Sequence, residues 1–455
     1  MNHKKFLAGA AAVDTTPSLG TIINGDFITH YAQRINDPLH VKALVLRNAP
    51  TTLALVVVDI CVMGKVLVDE AKDIIHHKSG IPPGNIMISS THTHAAGAVE
   101  EVHMVPADLV YRRQLPELIA QAVEKAMENL QPAQLAFGTV QAPEHVLCRR
   151  YWMEEQYTPM NPVTGSADQI KTNPFGVEDQ IKSPVNDPDP ELAFLAVKGR
   201  EGQWISILGN YSLHYVGDWE PGTISADYFG LFGEALREKL QAGKGFVGMM
   251  SNGTSGDINN WDFRGKRSQN PGNLAKSRMI GHDLAGKVVG ELGSLKWDAD
   301  PVLGSTYTEI SQPRRMPSEA EIKLAKEILE HGGLEGLQPD QEGWRKLYAR
   351  EQLLLYAFKK EALCPLQVLH IGQGKIGALP GEFFAETGLN IKSQLGFPYF
   401  TICLANDNVG YVPPAHELER GGYETWRCRI SNLSKEAEAN IRQQLLKMVE
   451  GKNGL

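Results

Sequence analysis

At 455 residues, the chain exceeds the roughly 250–300 residues at which single hydrophobic cores stop growing, so we expect one or two domains. Hydrophobic residues make up 42% and charged residues 22% of the chain, which is ordinary for a structured globular protein and excludes wholesale disorder. The net charge of -8 argues against nucleic acid or an anionic membrane as a partner, because both select for clustered Lys and Arg.

The amino terminus and the cysteines bear on where the protein works. Two lysines precede an apolar run in MNHKKFLAGAAAV, but this run is at the short end of the ~7–15 residues of a signal-peptide core. We interpret the segment as a first β-strand and expect a cytoplasmic protein, with a periplasmic or secreted location as the alternative. No run reaches the roughly 18 apolar residues that a membrane-spanning helix needs. The cysteines are odd in number and lack CxxC spacing, which predicts reduced, mostly buried thiols: Cys61, Cys148, Cys364, Cys403 and Cys428.

Short apolar, β-branched runs alternate with segments of helical period along most of the chain. The runs that predict buried strands are LALVVVDI from Leu53, NIMISS from Asn85, ELAFLAV from Glu191, WISILGNY from Trp204, GFVGMMS from Gly245, LQVLHI from Leu366 and YFTICL from Tyr399. The helical segments are KVLVDEAKDIIHH, LPELIAQAVEKAMENL, YFGLFGEALREKL, 276–292 and 434–449. This alternation predicts an α/β fold with mixed β-sheets flanked by helices.

Two regions interrupt the alternation. Residues 151–190 are rich in Pro, Asn, Asp and Gly, and loops of this length are usually functional or mobile, so the segment is a candidate lid over a site. Residues 318–360 are charged and helical, with a break near 332–339. We therefore predict a single domain over 1–455 that carries a helical insertion at about 315–362.

The sharpest chemical feature is STHTHAAG, which follows directly on the run NIMISS. In an extended chain, His92 and His94 would face the same side about 7 Å apart. Both would project from the end of a strand, where α/β enzymes place their sites. An HxH pair alone is as consistent with two polar loop residues as with a metal or catalytic site. Other motifs in the chain must therefore distinguish these two interpretations.

Two further residues are candidates for the same site. His214 ends the strand-like run ISILGNYSLH, although a lone strand-end histidine is more often structural. Glu382 follows Pro380-Gly381 in GKIGALPGEFF, where a strand-to-helix turn would hold its carboxylate; a glutamate in a first helical turn also stabilises the helix dipole. Histidine nitrogens with a carboxylate oxygen suit Zn²⁺ when one position remains for water.

Several separated motifs resemble, in the same order, those of the neutral/alkaline non-lysosomal ceramidase family. They cover most of residues 6–430 and correspond to that family's amino-terminal catalytic domain: GAAAVDTTP, DPLHVKALVL, VVVDI, ISSTHTHAAG, NYSLH, ISADYFG, SNGTSGDIN and ALPGEF. Each motif is weak singly, but ISSTHTH, ISADY and GDIN in series are specific. The resemblance implies the fold of that catalytic domain.

The resemblance also implies the roles of individual residues. The implied zinc ligands are His92, His214, Glu382 and Tyr411. Tyr423 lies twelve positions after Tyr411 and matches a second family tyrosine that holds the scissile amide. His94 and Arg149 correspond to residues that face the substrate, and the adjacent Arg150 is the alternative to Arg149.

The chain departs from the family pattern at two places. Asn259 stands in GDIN where ceramidases carry a serine, which removes a hydroxyl once proposed as the nucleophile and leaves Asn259 to bind substrate. The sequence also ends without the family's immunoglobulin-like carboxyl-terminal domain. These departures favour a substrate smaller or more polar than ceramide.

The expected function is therefore zinc-dependent hydrolysis of an amide bond in a small N-acyl substrate by metal-activated water, with His94, Tyr423 and Arg149 as catalytic residues. Two alternatives remain open. The same zinc site would suit an esterase or lactonase, and a non-catalytic ligand-binding homologue would explain Asn259. Retention of the implied ligands argues against the non-catalytic reading. The sequence does not predict an oligomeric state.

Overall fold

The computed structural model describes residues 6–265, 272–330, 334, 337, 338 and 340–451. The strands are β1 (Leu7–Asp14), β2 (Ile22–Ile23), β3 (His30–Tyr31), β4 (Arg34–Ile35), β5 (His40–Asn48), β6 (Thr51–Val58), β7 (Ile86–Ser90), β8 (Gln131–Gln141), β9 (Leu147–Cys148), β10 (Arg150–Met153), β11 (Ile170–Thr172), β12 (Ile181–Pro184), β13 (Glu191–Gly199), β14 (Trp204–Tyr211), β15 (Thr223–Ile224), β16 (Val247–Asn252), β17 (Ile258–Asn259), β18 (Leu303–Pro313), β19 (Glu361–Ile371), β20 (Gly374–Ala378), β21 (Glu382–Phe383), β22 (Tyr399–Ile402) and β23 (Tyr411–Val412). The helices are α1 (Lys65–Ser79), α2 (Leu109–Glu128), α3 (Asp227–Lys239), α4 (Ala275–Glu291), α5 (Glu319–Glu330), α6 (Gln341–Tyr356), α7 (Ala385–Leu395), α8 (Ala415–Arg420) and α9 (Ala437–Glu450).

The larger sheet has the strand order β16-β14-β13-β8-β1-β5-β6-β7 and is mixed, since β6–β7 and β14–β16 are parallel pairs and its other pairs are antiparallel. A second mixed sheet has the order β18-β19-β20-β22. The predicted α/β class with mixed sheets flanked by helices is confirmed.

The two sheets pack face to face between outer helices, and the run from Leu53 shows why. Leu53, Leu55 and Val57 point into a core shared with β19, β20 and β22, whereas Ala54, Val56 and Val58 point into a core shared with α1 and α2. Because successive strand residues face opposite sides, a strand covered on both faces reads as an unbroken apolar run. Helices α3 and α4 cover the far end of the larger sheet, and α9 covers the smaller sheet.

Curvature of the larger sheet brings its two ends together. β16 and β7 lie at opposite ends of the strand order, yet β16 contacts both β6 and β7. The Asn252 side-chain amide, at the end of β16, donates to the Thr91 carbonyl just after β7, 3.3 Å away. Loops that leave strands far apart in the sheet therefore meet at one place.

The two irregular regions have definite structures. Residues 151–190, predicted as a loop, contain strands β10, β11 and β12 of a small antiparallel sheet, whose short strands left no periodicity in the sequence. Helices α5 and α6 pack together between β18 and β19, where the helical insertion was predicted; the break near 332–339 falls partly outside the described residues. The proposed first strand is β1, and residues 1–5 of that segment also lie outside the description.

All five cysteines are free and buried, as expected. Within the described ranges, no helix combines the length and apolar composition needed to cross a bilayer.

Candidate metal centre and active site

His92 and His214 follow strands far apart in the larger sheet, the end strand β7 and the strand β14 next to the opposite end. The former follows β7 and the latter follows β14, and their Nε2 atoms are 3.1 Å apart. Each ring donates from Nδ1 to a backbone carbonyl, His92 to Cys61 at 2.9 Å and His214 to Ser255 at 3.1 Å. A carbonyl can only accept, so both protons lie on Nδ1 and both Nε2 atoms present lone pairs to the same point.

Glu382 supplies an oxygen to this point. Its Oε2 atom lies 3.4 Å from Nε2 of His92 and 3.7 Å from Nε2 of His214. The residue was predicted at a helix start, but it lies in β21, and α7 begins only at Ala385. β21 pairs in parallel with β23, and Glu382 is in register with Tyr411.

The donor set fits a bound Zn²⁺. Lone pairs of two imidazoles 3.1 Å apart repel each other unless a cation or proton lies between them. The buried Oε2 of Glu382 has no hydrogen-bond partner among the described residues, which is costly for a carboxylate unless a cation compensates it. Tetrahedral zinc ligands bonded at about 2.0–2.1 Å would be separated by about 3.3 Å, close to the observed distances. His92, His214 and Glu382 form one of the residue groups compact enough to hold an ion.

The pKa directions agree with neutral imidazole ligands. Burial, followed by the positive charge of Arg149 and the neighbouring histidines, holds the pKa of His214 well below its usual range. Burial and the Glu382 carboxylate raise the pKa of the Tyr411 phenol well above its usual range. A nearby cation acts in the opposite direction on a phenol, so Tyr411 would ionise only as part of a metal complex.

His94 lies in the same cluster, but not through an extended backbone. Because His92 adopts a left-handed conformation with φ of 78°, the two residues turn toward each other and their Nε2 atoms are 3.1 Å apart. The ring of His94 stacks on Tyr215, with centroids 3.7 Å apart and planes tilted by 19°. Gly25 covers His94 as well, since a Cβ added there would lie 2.4 Å from its Cγ.

The structure separates Arg149 from Arg150. Arg149 Nη2 donates to the Tyr411 hydroxyl at 3.1 Å, and Nη1 lies 3.4 Å from Nε2 of His214. Both arginines pair with Glu424 at 2.7 Å, but Arg150 is fully buried and pairs in addition with Glu417, also at 2.7 Å, instead of with Tyr411 or His214. Arg149, the residue preferred from the sequence, is thus the arginine beside the cluster.

Tyr423 stands beside Tyr411, with ring centroids 5.7 Å apart. Its hydroxyl lies 3.3 Å from Nε2 of His103. Phe27 and Trp426 also contact its ring, with centroids at 5.8 and 6.1 Å. The predicted catalytic tyrosine is therefore packed between aromatic side chains.

Asn259 is engaged within its own neighbourhood. Its Nδ2 donates to Oδ1 of Asn173 at 2.8 Å, and its Oδ1 accepts from the Trp261 amide at 2.9 Å. These hydrogen bonds join the end of β17 to Asn173 and Trp261, and none of them reaches the histidine cluster. The predicted substrate-binding role stays a prediction.

Several residues that shape the site were missed from the sequence. Asp257 of GDIN accepts the first backbone N–H of α7 at 2.8 Å, and its carbonyl accepts from the Arg149 amide at 2.9 Å; burial raises its pKa to about 6. Cys61 places Sγ 3.8 Å from Nδ1 of His92. Gly25 and Tyr215 enclose His94. Of these residues, only Asp257 belongs to a motif that the sequence analysis noted, GDIN. The others contact the site from segments that are distant along the chain.

No family model matches the sequence, and no curated protein matches it. Among solved structures, the chain is similar to the neutral ceramidase from Pseudomonas aeruginosa, with a TM-score of 0.73 and 16% identity over 98% of this chain and 74% of that one. It is also similar to a ceramidase complexed with C2, with a TM-score of 0.71 and 16% identity over 99% of this chain and 76% of that one. The chain therefore has the neutral ceramidase fold.

Proposed function

We propose that this protein is a zinc-dependent hydrolase that cleaves the amide bond of an N-acyl substrate. The observation that carries the proposal is the convergence of Nε2 of His92, Nε2 of His214 and the unpartnered Oε2 of Glu382 on one buried point. The neutral ceramidase fold supports the same class of reaction, because the similar proteins are ceramidases.

His92, His214, Glu382 and Tyr411 would hold the ion. When bound, Zn²⁺ would polarise a carbonyl oxygen and lower the pKa of a coordinated water toward about 7. The proposed ligands would come from the segments that follow β7 and β14 of the larger sheet and from the β21–β23 pair.

The remaining side chains would bind and protonate the substrate. Arg149 and Tyr423 donate hydrogen bonds to the carbonyl oxygen as negative charge develops on it, an effect worth roughly 3–4 kcal/mol for one well-placed donor. His94 accepts a proton from the attacking water and returns it to the leaving nitrogen, which typically contributes about 10²- to 10⁴-fold. Burial and the charges of His92 and Arg149 lower the pKa of His94, so its imidazole is neutral and able to accept that proton.

We propose a substrate smaller or more polar than long-chain ceramide. Support comes from the aromatic packing of Tyr423, whose ring contacts those of Phe27, Tyr411 and Trp426. This size limit is also supported by Asn259, which stands where the resembling family has a serine.

Elemental analysis of the purified protein tests the metal, with an expected content of about one zinc per chain. Matched substrates then test the reaction: a short N-acyl amine, the ester of the same acid, a lactone and long-chain ceramide. Fastest turnover of the short amide supports the proposal. Preferred cleavage of the ester or lactone would replace amidase by esterase or lactonase, and efficient cleavage of ceramide would contradict the size limit. A zinc-loaded protein that turns over none of them would favour a binding function.

A further inference from the structure

His103 is a buried histidine to which the proposed reaction assigns no role. It is 3% exposed, and its Nε2 atom lies 3.3 Å from the Tyr423 hydroxyl. Its ring stacks on Phe27, with centroids 4.4 Å apart and planes tilted by 29°. The imidazole is therefore held in one orientation with one nitrogen directed at Tyr423.

The backbone of His103 is held as firmly as its ring. Its carbonyl accepts hydrogen bonds from Arg350 at 2.9 Å and from Arg429 at 2.8 Å. Both arginines pair with Glu101 and Glu351, so their charges are balanced on site. His103 has a φ of 50°, a left-handed conformation that a non-glycine residue keeps only where its surroundings enforce it. This network connects α6 to the residue beside Tyr423.

The surroundings also select the protonation state of the ring. Burial lowers the pKa of His103 to about 4, against the opposing charge of Glu351, so the ring carries a single proton near neutral pH. Nδ1 is buried and has no hydrogen-bond partner among the described residues. A buried N–H without an acceptor is rarer in proteins than an unpaired acceptor, which places the proton on Nε2.

We propose that His103 is a positioning residue for Tyr423: its Nε2–H donates to the phenol oxygen and leaves the phenol proton free for the substrate carbonyl. A phenol whose oxygen already accepts one hydrogen bond cannot turn its proton toward that donor. The donated bond also draws electron density from the oxygen and strengthens the phenol as a donor. This assignment rests on the proposed function of Tyr423.

The test compares two replacements of His103 on the zinc-loaded protein. His103→Gln keeps an N–H close to the position of Nε2, whereas His103→Leu removes the donor. We expect His103→Leu to lower kcat about 10-fold, the scale of one hydrogen bond, with KM within about twofold. His103→Gln should recover most of the loss. Equal loss in both variants, or a loss that falls entirely on KM, would show that His103 only fills space.

A double-mutant cycle and a spectroscopic measurement complete the test. In a Tyr423→Phe background, His103→Leu should lower kcat no further, because the group through which His103 acts is gone; full multiplication of the two losses would contradict the proposal. His370→Leu is the control. Nε2 of His370 on β19 also faces a hydroxyl, Oγ1 of Thr306 on β18 at 3.2 Å. This variant should leave kcat unchanged.

Long-range ¹H–¹⁵N spectra of histidine-labelled protein, assigned with the His103 variants, should show an Nε2–H tautomer whose proton signal shifts in Tyr423→Phe. An Nδ1–H tautomer overturns the assignment even if the protein hydrolyses nothing, and an Nε2–H tautomer in an inactive protein would locate the failure in the proposed function instead.

Discussion

Glu382 and Tyr411 are register partners in the parallel pair β21–β23, and each is the first residue of its strand. Two backbone segments that are remote in sequence thus present a carboxylate and a phenol side by side. The Glu382 amide donates to the Gly410 carbonyl at 2.9 Å, which locks the two segments immediately before Tyr411. The relative position of these two implied ligands is therefore set by main-chain hydrogen bonds.

This pairing predicts the effect of Glu382→Gln. The backbone register should persist, but a neutral amide removes the charge that compensates the cation, so we expect zinc affinity to fall by at least about 10-fold. Competition with a chromogenic chelator measures this affinity, and circular dichroism checks the fold. The control is Glu386→Gln, a partly exposed glutamate in the first turn of α7. Unchanged zinc affinity in Glu382→Gln would remove Glu382 from the ligand set.

The two histidines of the THTH motif should separate by function. His92→Ala should lose zinc, whereas His94→Ala should retain zinc and lose about 10²-fold or more in kcat. Metal content and single-turnover rates measured on the same preparations distinguish the two effects. The Nε2 atoms of His94 and His214 are both 3.1 Å from Nε2 of His92, so the geometry also allows His94 to be a ligand. Equal zinc loss in both variants would make His94 a ligand.

Gly25→Ala should disturb His94 without touching the ligands. The new methyl group would lie 2.4 Å from Cγ of His94, so the imidazole must move away from its position on Tyr215. We expect kcat to fall by about 10²-fold, because misplacement by about 1 Å can cost that much, while zinc content stays the same. Gly20→Ala is a matched control: φ is +88° there, against +109° at Gly25, but its Cβ would meet nothing within 4 Å. Similar losses in both variants would attribute the effect to backbone strain alone.

Asn259→Ala and Tyr423→Phe should rank in a fixed order. The side chain of Asn259 joins the end of β17 to Asn173, so we expect its removal to lower kcat/KM about 10-fold, equivalent to ~1.4 kcal/mol. Tyr423→Phe removes a donor to the developing oxyanion, for which a loss on the order of 10² or greater is expected. Both rates are measured on the best substrate at equal zinc content. The reverse order would place the chemistry nearer to Asn259 than to Tyr423.

Lys72 should couple stability to pH far from the metal. It is 3% exposed, with Nζ 5.2 Å from the centre of the Tyr307 ring, and burial lowers its pKa from 10.5 to about 7. Between these values the unfolded chain binds a proton that the folded chain does not, so the free energy of unfolding rises with pH by about 1.4 kcal/mol per unit. This contribution to stability is complete above pH 10.5, decreases as the pH falls from 10.5, and is lost once the pH has fallen through about 7.

Urea unfolding at pH 7 and pH 9 tests this linkage. Relative to Lys72→Met, the wild-type protein should gain about 2 kcal/mol between the two pH values. Lys323→Met, at an exposed lysine of α5, should follow the wild-type pH dependence. Parallel pH profiles for wild type and Lys72→Met would mean that Lys72 is charged in the folded protein.

The strands and helices of this protein were largely predictable because their signals are local. The run from Leu53 is apolar at every position since both its faces are covered, and α1, α3 and α4 follow the helical period within a residue or two. Where strands are short or polar, as in β10–β12, the period-two signal has too few residues to appear. The sequence also singled out His92, His94, His214 and Glu382 as candidate site residues, and the structure brings them into one cluster.

Only the tertiary structure decided how these residues meet. Nothing in the local sequence near His92 states that the sheet curves until β16 touches β7, because curvature is a sum of small twists over eight strands. The same holds for Arg149 and Arg150: both pair with Glu424, but Arg149 also reaches Tyr411, whereas Arg150 also reaches Glu417. The local sequence pattern thus determined the strands, the helices and the candidate residue types. Long-range packing determined which side chains converge on one point, because those side chains come from segments far apart along the chain.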